Sequence, residues 1–256
     1  VDGGDEVQWR KVSQDELLQG AVLEPYAGSV LRIGGMTAFN VPEAEEEMLS
    51  VRQVVHLCPE TNDWKPMPDL PAGRSSHGAA VLGSQLYVAG GWQLTPDGSM
   101  DWHSDMLVLE LDNPEAGWTS VPQPFERRAA AVIAWENRLY VLGGMSSDDE
   151  ICTDVQVYDP SSGWRKGPEL PGDVMNGFAP AACLHNDQLM VSCFDGLVYR
   201  LDTTGSWQRA GSLCVPRYMH QLVSCAGHLY AMGGETESGH ARLVEHVELR
   251  GTAQPE

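Results

Sequence analysis

The stretch Arg138-Leu-Tyr-Val-Leu-Gly-Gly144 decides the fold, because nearly the same residues return elsewhere in the chain. Gln85-Leu-Tyr-Val-Ala-Gly-Gly91 and His228-Leu-Tyr-Ala-Met-Gly-Gly234 are close copies, and Gly34-Gly35 is a further glycine doublet. Each doublet follows a tryptophan by about 25 residues. The tryptophans that mark the period are Trp9, Trp64, Trp118, Trp164 and Trp207. A period of about 45–55 residues indicates a tandem array of repeats.

Residues 74–118 show how one repeat is built. Two short apolar runs flank Gly83-Ser84, which predicts a β-hairpin with a tight turn. The polar stretch 92–105 is expected to be a long loop, and Met106–Leu111 to be a third strand. Trp118 opens a fourth strand, in which we assign the repeat tryptophan to the core, packed toward the next repeat. Four antiparallel strands per repeat predict one blade of a β-propeller.

The whole chain is therefore predicted to be a single all-β domain, residues 1–256, that forms a five-bladed propeller. The five repeats are approximately 20–70, 71–123, 124–170, 171–212 and 213–250. The first and fourth are degenerate: Cys193-Phe194 stands where the fourth doublet is expected, and no Arg-x-x-His precedes the first.

Closure of the ring is predicted from the two ends of the chain. The last repeat has no tryptophan, whereas Val7-Gln-Trp9-Arg-Lys-Val12 is a lone fourth strand. A ring avoids an exposed sheet edge if that strand completes the last blade. We expect residues 7–12 to pair with residues 244–249.

Composition limits the partners. The net charge of −20 argues against nucleic acid and anionic membrane surfaces, which need a basic footprint. The sequence contains no run of 18 apolar residues, so it predicts no segment that inserts into a membrane. The six cysteines form no Cys-x-x-Cys pair, so we expect buried free thiols, with a disulfide as the alternative. Because the sequence begins at Val1, removal of a leader stays open, and we expect an extracytoplasmic protein, secreted or periplasmic.

The repeat resembles a known family. Arg74-x-x-His77, Leu-Tyr-Val-x-Gly-Gly, Val155-Gln-Val-Tyr-Asp-Pro160 and Gly163-Trp164 are similar to the Kelch repeat, and the chain resembles short bacterial Kelch proteins described as exported. The resemblance implies a binding platform, although a domain of galactose oxidase and the bacterial sialic acid mutarotases share it. Galactose oxidase takes copper ligands partly from an extra domain for which this chain has no room, so we expect no cofactor.

Topology directs the search for a site to one face of the ring. Strands alternate in direction, so the loops that join second to third strands emerge on the same face as those that join the blades. The first set is 36–50, 92–105, 145–152, 194–196 and 235–243; the second is 67–77, 121–128, 168–178 and 210–218. Long loops on a rigid scaffold are preferred positions for binding residues, and the opposite face carries tight turns.

Four arginines are predicted to converge at the mouth of the channel on this face. They are Arg74, Arg127, Arg128 and Arg217, and the first, second and fourth lie 16 residues before a doublet. The planar guanidinium suits carboxylates, so the arginines predict a pocket for an acidic sugar or an acidic peptide. The alternative is that they pair with loop acids such as Asp69, Glu126 or Asp173.

Aromatic side chains and histidines complete the predicted site. Trp92, Trp102 and His103 lie outside the repeat positions and can stack on a sugar or anchor a protein, or simply fold onto one another. Phe178 and Tyr218 are expected on the same rim. His77, His103 and His220 share this face, but their spacing is not a metal motif, and we predict no metal. The acidic run Glu43-Ala-Glu-Glu-Glu47 is expected to be solvated, with calcium or a basic partner as the alternative.

The sequence favours a non-catalytic binding propeller that takes a protein or a small acidic ligand and is a monomer. A nucleophile elbow, a phosphate loop and a dinucleotide fingerprint are all absent from the sequence. The alternative is a mutarotase or isomerase for an acidic sugar, which needs an acid and a base across the ring. Glu126, Asp101, His103 and His220 are the candidates for that chemistry. A third reading is a module that docks within a larger cell-surface assembly.

Overall fold

A computed structural model describes residues 18–39 and 47–249. They form five antiparallel sheets arranged as the blades of a β-propeller, which confirms the predicted all-β fold and the blade count. The first strands of successive blades lie against one another along the central channel. The later strands of each blade follow outward in chain order, so that the strand that comes first in the sequence of each blade lies at the centre.

The strands of each blade are given in order from the channel to the rim. Blade 1 consists of Val22–Tyr26, Ser29–Ile33, Val54–Leu57 and Trp64–Pro66. Blade 2 consists of Gly78–Leu82, Gln85–Ala89, Asp105–Glu110 and Trp118–Pro122. Blade 3 consists of Ala131–Trp135, Arg138–Leu142, Val155–Asp159 and Gly163–Lys166. Blade 4 consists of Ala181–His185, Gln188–Ser192, Leu197–Leu201 and Trp207–Ser212. The three described strands of blade 5 are Gln221–Cys225, His228–Met232 and Val244–His246.

The connections contain short elements of their own. Small hairpins join Met36–Ala38 to Met48–Ser50, Trp92–Leu94 to Met100–Trp102, and Glu235–Thr236 to Gly239–His240. Arg127–Arg128 pairs with Met145–Ser146, and two 3₁₀ turns span Pro114–Ala116 and Val174–Gly177. The segment 92–105 joins the second and third strands of blade 2 as predicted, but it contains a small hairpin, because apolar residues near both of its ends pair with one another.

The glycine doublets lie where one blade meets the next. Gly90 and Gly91 have φ angles of 66° and 84°, which favour glycine. A Cβ atom on Gly90 would lie 2.6 Å from the carbonyl oxygen of Arg127 in blade 3. The amide of Gly91 donates to that same oxygen over 2.6 Å. The doublet is thus needed for close approach between blades, as the repeat pattern predicts.

The core lies mainly between blades. Leu31, Ile33, Leu86 and Leu109 are buried between blades 1 and 2, and equivalent clusters fill the next three junctions. Burial of this kind is the main favourable term in folding. Each blade therefore depends on its neighbours for the greater part of its apolar burial.

The repeat tryptophans reach across these junctions. The indole N–H groups of Trp118, Trp164 and Trp207 donate to the carbonyl oxygens of Pro68, Pro122 and Pro168 over 3.0, 3.0 and 3.1 Å. Each proline lies at the end of the fourth strand of the preceding blade or just after it. The tryptophans therefore reach toward the preceding blade, and our expectation that they face the next one is wrong.

Trp164→Phe tests that contact, because phenylalanine keeps an aromatic ring and removes the indole N–H. We expect a loss of about 1 kcal/mol in the free energy of unfolding, which lowers the melting temperature by roughly 2–4 °C. Calorimetry measures it. Trp102→Phe, in a loop hairpin and outside the apolar clusters between the blades, is the control and should change the melting temperature little; equal losses would contradict the assignment.

The end of the chain departs from the predicted continuous third strand over 244–249. Val244–His246 pairs with His228–Met232, but Glu248–Leu249 pairs with the fourth strand of blade 4 at Gly211 and Ser212. A Cβ atom on Gly211 would lie 2.6 Å from the carbonyl oxygen of Glu248, so glycine permits this approach. The predicted closing strand 7–12 lies outside the described residues.

Candidate functional site at the loop-rich face

The loops between second and third strands and the loops between blades form one face of the ring, here called the loop-rich face. Three of the four predicted arginines at its channel mouth are locked in ion pairs. Arg74 Nη2 lies 2.7 Å from Asp105 Oδ1, Arg127 Nη2 lies 2.6 Å from Asp154 Oδ1, and Arg217 is paired with Glu245. The three guanidinium groups are almost completely buried.

The acids that hold these arginines differ from the ones we expected. Asp105, Asp154 and Glu245 all lie at the start of a third strand, whereas Asp69, Glu126 and Asp173 are on loops. Asp69 lies instead 3.6 Å from Arg52 on the surface. Burial alone would raise the pKa of Asp154, but hydrogen bonds from Arg127 and Gln156 bring that pKa below its usual value. The Arg127–Asp154 pair is therefore charged and built into blade 3.

Arg74 and Arg127 also join two blades through their backbone oxygens. The guanidinium of Arg74 donates to the carbonyl oxygen of Gly90 in its own blade over 3.3 Å. Its backbone oxygen accepts from the amide of Gly35 in the preceding blade over 2.9 Å. Arg127 repeats the arrangement with Gly143 and Gly91. These arginines are structural clamps, which removes the main support for an open carboxylate pocket.

Arg128 is different from the other three. No ion pair to its guanidinium occurs within residues 18–39 and 47–249. Its Cζ atom lies 4.5 Å from the ring centre of Trp92, and Nη2 lies 3.0 Å from the sulfur of Met145. Burial lowers the pKa of Arg128, and the charge of Asp149 opposes that shift. Trp92 in turn packs on Trp102, with ring centres 5.4 Å apart, so the loop folds onto its own aromatics.

A second aromatic group lies on the same face beside blades 4 and 5. Phe194 stacks on Tyr218 with ring centres 5.4 Å apart, and the ring centre of Phe178 lies 5.5 Å from that of Tyr218. All three side chains are half-buried. The sequence analysis missed Phe194 as a site residue, because it was read only as a departure from the glycine doublet. Its position directly after the second strand was the available signal.

The histidines of the predicted site are structural neighbours of the clamps. His77 and His220 are buried, and burial lowers their pKa values to about 3 and about 4. His220 is hydrogen-bonded to Ser192. His103 Nε2 lies 3.0 Å from the carbonyl oxygen of Gly73, so this ring joins two loops. In the two described ranges, no three acidic, histidine or cysteine side chains lie close enough to hold a metal ion.

Large apolar side chains are exposed on the loop-rich face. They are Phe39 at 42%, Met100 at 56%, Val174 at 53%, Val215 at 37% and Met219 at 50%. A cleft of about 440 Å³ lies on the same face between blades 2 and 3, and Phe125, Glu126, Ser147 and Asp148 are among the residues that line it. The face is therefore broad, partly apolar and only shallowly indented.

The six cysteines are all free. Cys58 and Cys193 are buried, Cys152 and Cys183 are half-buried, and Cys214 and Cys225 are exposed. The expectation of buried thiols thus holds for two of them, and the alternative of a disulfide is wrong.

Comparisons with known proteins agree with this architecture. Residues 126–171 match the Kelch motif. Kelch-like protein 33 of Homo sapiens is 36% identical over 138 residues, which cover 52% of this chain and 24% of the relative. Kelch-like protein 40 of Xenopus laevis is 28% identical over 215 residues, which cover 80% of this chain and 33% of the relative. The solved structure of YjhT superimposes with a TM-score of 0.72 at 16% identity, covering 91% of this chain and 84% of that one.

The ring of antiparallel blades, with an arginine and a glycine doublet at each full repeat, defines a Kelch-type β-propeller. The motif match, the Kelch-like relatives and the propeller structure together support a Kelch-repeat family. The chain spans about a quarter to a third of the length of these two curated relatives. Both are vertebrate proteins, whereas the resemblance suggests a bacterial one, so a bacterial origin stays a prediction. Across the described residues, no helix is long and apolar enough to cross a membrane.

Proposed function

We propose that this chain is a non-catalytic binding propeller that holds a protein partner on its loop-rich face. One observation carries the proposal: five large apolar side chains are exposed on the loops of that face. Contiguous exposed apolar surface rimmed by polar groups is typical of protein interaction sites. The Kelch repeat, known mainly from binding platforms, supports the same role.

The aromatic groups supply candidate anchors. Trp92, Trp102, Phe178, Phe194 and Tyr218 are half-buried, so their orientation is fixed while part of each ring stays accessible. Preordered aromatic residues surrounded by weaker contacts carry most of the binding energy in many protein interfaces. Arg128, the mouth arginine that stacks on Trp92, adds a charge that a partner can approach.

The alternative of a sugar mutarotase loses support from the same geometry. It requires arginines free to bind a carboxylate, and three of the four are paired with half-buried acids. His220 is also a poor proton carrier near neutral pH, because burial lowers its pKa to about 4.

The test compares two aspartate substitutions. Met219→Asp places a charge at one of the exposed apolar positions of the loop-rich face, and Thr119→Asp places the same charge on the outer strand of blade 2. Proteins captured from a native extract are identified, purified and measured by calorimetry against both variants. We expect at least a tenfold loss of affinity for Met219→Asp and no change for Thr119→Asp.

A thermal-shift titration with N-acetylneuraminic acid and glucuronic acid distinguishes the alternative. A ligand at 100 times its dissociation constant adds about 2.7 kcal/mol of stability. A rise in melting temperature that Arg128→Met abolishes would favour an acidic-sugar site and count against the protein-binding proposal. We expect no rise.

A further inference from the structure

One tryptophan has no part in the repeat or in the loop-rich face. Of eight tryptophans, five mark the repeats and Trp92 and Trp102 lie in one loop hairpin. The eighth, Trp135, ends the first strand of blade 3 at the opposite mouth of the channel, where the tight hairpin turns emerge. The structural role of the repeat tryptophans therefore does not explain it.

Trp135 is held in a fixed orientation. Its indole N–H donates to the carbonyl oxygen of Asp187 in the first hairpin turn of blade 4 over 2.9 Å. Its ring centre lies 5.6 Å from that of Tyr140. The ring is nevertheless only half-buried. A rigid aromatic ring with one accessible side loses little conformational entropy when it contacts a partner.

Trp135 lines a cleft of about 500 Å³, here called the turn-face cleft. The other apolar residues that line it are Val81, Leu82, Ala134 and Leu184. Leu184 is 39% exposed, one of the large apolar side chains that the fold leaves in contact with solvent. The volume is within the range of about 300–1,000 Å³ typical of ligand-binding clefts.

The cleft is preformed, because its walls belong to three neighbouring blade junctions. Val81 packs on the core between blades 1 and 2, Leu82 and Ala134 on the core between blades 2 and 3, and Trp135 on the core between blades 3 and 4. Binding there requires no rearrangement of the blades.

Acidic side chains edge this apolar surface. Glu136 and Asp187 line the cleft, and both are exposed. Neither forms an ion pair with any residue of 18–39 or 47–249. The chain as a whole carries a net charge of −20, so the surrounding field adds to their attraction for cations.

We propose that the turn-face cleft binds a basic peptide segment of a second protein partner, with one aliphatic or aromatic side chain inserted beside Trp135 and Leu184. Flanking lysine or arginine residues pair with Glu136 and Asp187. The apolar anchor supplies most of the affinity, and the charges supply orientation and rate of association. This surface is independent of the loop-rich face, so the propeller can hold two partners at opposite ends of its channel.

The experiment selects peptides from a phage-displayed library of random 12-residue sequences on the full chain. Selected peptides are then labelled and measured by fluorescence polarisation against the wild type, Leu184→Glu and Glu136→Lys. Met219→Glu, which adds the same charge to the loop-rich face, is the matched control. Melting temperatures of all variants show that each is folded, and Leu184→Ala replaces Leu184→Glu if the latter is not.

We expect a consensus with a leucine, phenylalanine or tryptophan next to lysine or arginine. Such peptides should bind Leu184→Glu at least tenfold more weakly, bind Glu136→Lys about threefold to tenfold more weakly, and bind Met219→Glu unchanged. Their binding should also quench or shift Trp135 emission, a signal that Trp135→Phe removes.

Three results would overturn the proposal: no selected peptide depends on Leu184, the consensus is acidic, or every selected peptide loses affinity for Met219→Glu alone. The last of these would support the loop-rich face as the binding surface while excluding the turn-face cleft. The two proposals therefore fail separately.

Discussion

Arg74→Met is expected to lower the free energy of unfolding by about 3–5 kcal/mol, the cost of leaving a partly buried charge without its partner. Arg74 is 2% exposed and donates to Asp105 over 2.7 Å and to the carbonyl oxygens of Gly90 and Asp105 over 3.3 and 3.1 Å. Methionine fills most of the volume but satisfies none of these acceptors. Denaturation in urea measures the loss.

Arg128→Met is the matched control, because that arginine lies next to the same channel mouth without an ion pair in the described part of the chain. It should cost less than about 1 kcal/mol. The double variant Arg74→Met/Asp105→Leu should recover part of the loss, because it removes the unpaired acid as well. If Arg74→Met costs no more than Arg128→Met, the clamp is not structural, and the arginines regain their place as candidate ligand-binding groups.

Glu24→Gln is expected to stabilise the protein by about 3 kcal/mol at pH 8.5 and to change little at pH 4. Glu24 is in the first strand of blade 1, where Oε1 accepts from the amide of Val81 in blade 2 over 2.9 Å. Burial raises the pKa of this carboxyl from 4.5 to about 7, although the hydrogen bond from Val81 opposes the shift. Each pKa unit of such a shift corresponds to about 1.4 kcal/mol.

The sign follows from the direction of the shift. A folded-state pKa above the unfolded value means that the fold favours the protonated carboxyl. Its stabilising contribution is complete below about pH 4.5 and is lost as the pH rises through about 7. Glutamine is neutral at every pH and keeps an oxygen for the Val81 amide, so the variant escapes the loss.

Urea denaturation at pH 4 and pH 8.5 checks this expectation. Glu115→Gln is the control, because Glu115 is an exposed residue of a 3₁₀ turn and should give the same small difference at both pH values. An equal effect of Glu24→Gln at both pH values would show that the fold does not raise the pKa of Glu24.

The sequence predicted the architecture because the ring is periodic. The glycine doublets and repeat tryptophans mark each blade, and their spacing does not depend on which contacts they make. The direction in which the tryptophans reach was wrong, because a tryptophan on an outer strand can contact either neighbour, and only three-dimensional placement selects the preceding proline.

The partners of the arginines were missed for a related reason. Asp105, Asp154 and Glu245 follow loops of different lengths, so they do not stand at a constant distance from their arginines. An alignment of the third strands of blades 2, 3 and 5, each of which has an acid within one residue of its start, would have found them. Trp135 and Leu184 escaped notice because they fit ordinary apolar strands, and nothing in the sequence shows that these strands end beside one another at a cleft.

Arg74 and Arg127 each link strands within one blade and also link that blade to the preceding one. These links determine how the propeller should denature. A linear array of repeats can melt from its ends, because each unit touches only its neighbours. In this molecule Arg74 ties the second and third strands of blade 2 together and also accepts from Gly35 of blade 1, so one blade cannot open without releasing the next. Calorimetric and van't Hoff enthalpies should therefore agree, as they do when a protein unfolds in a single cooperative step.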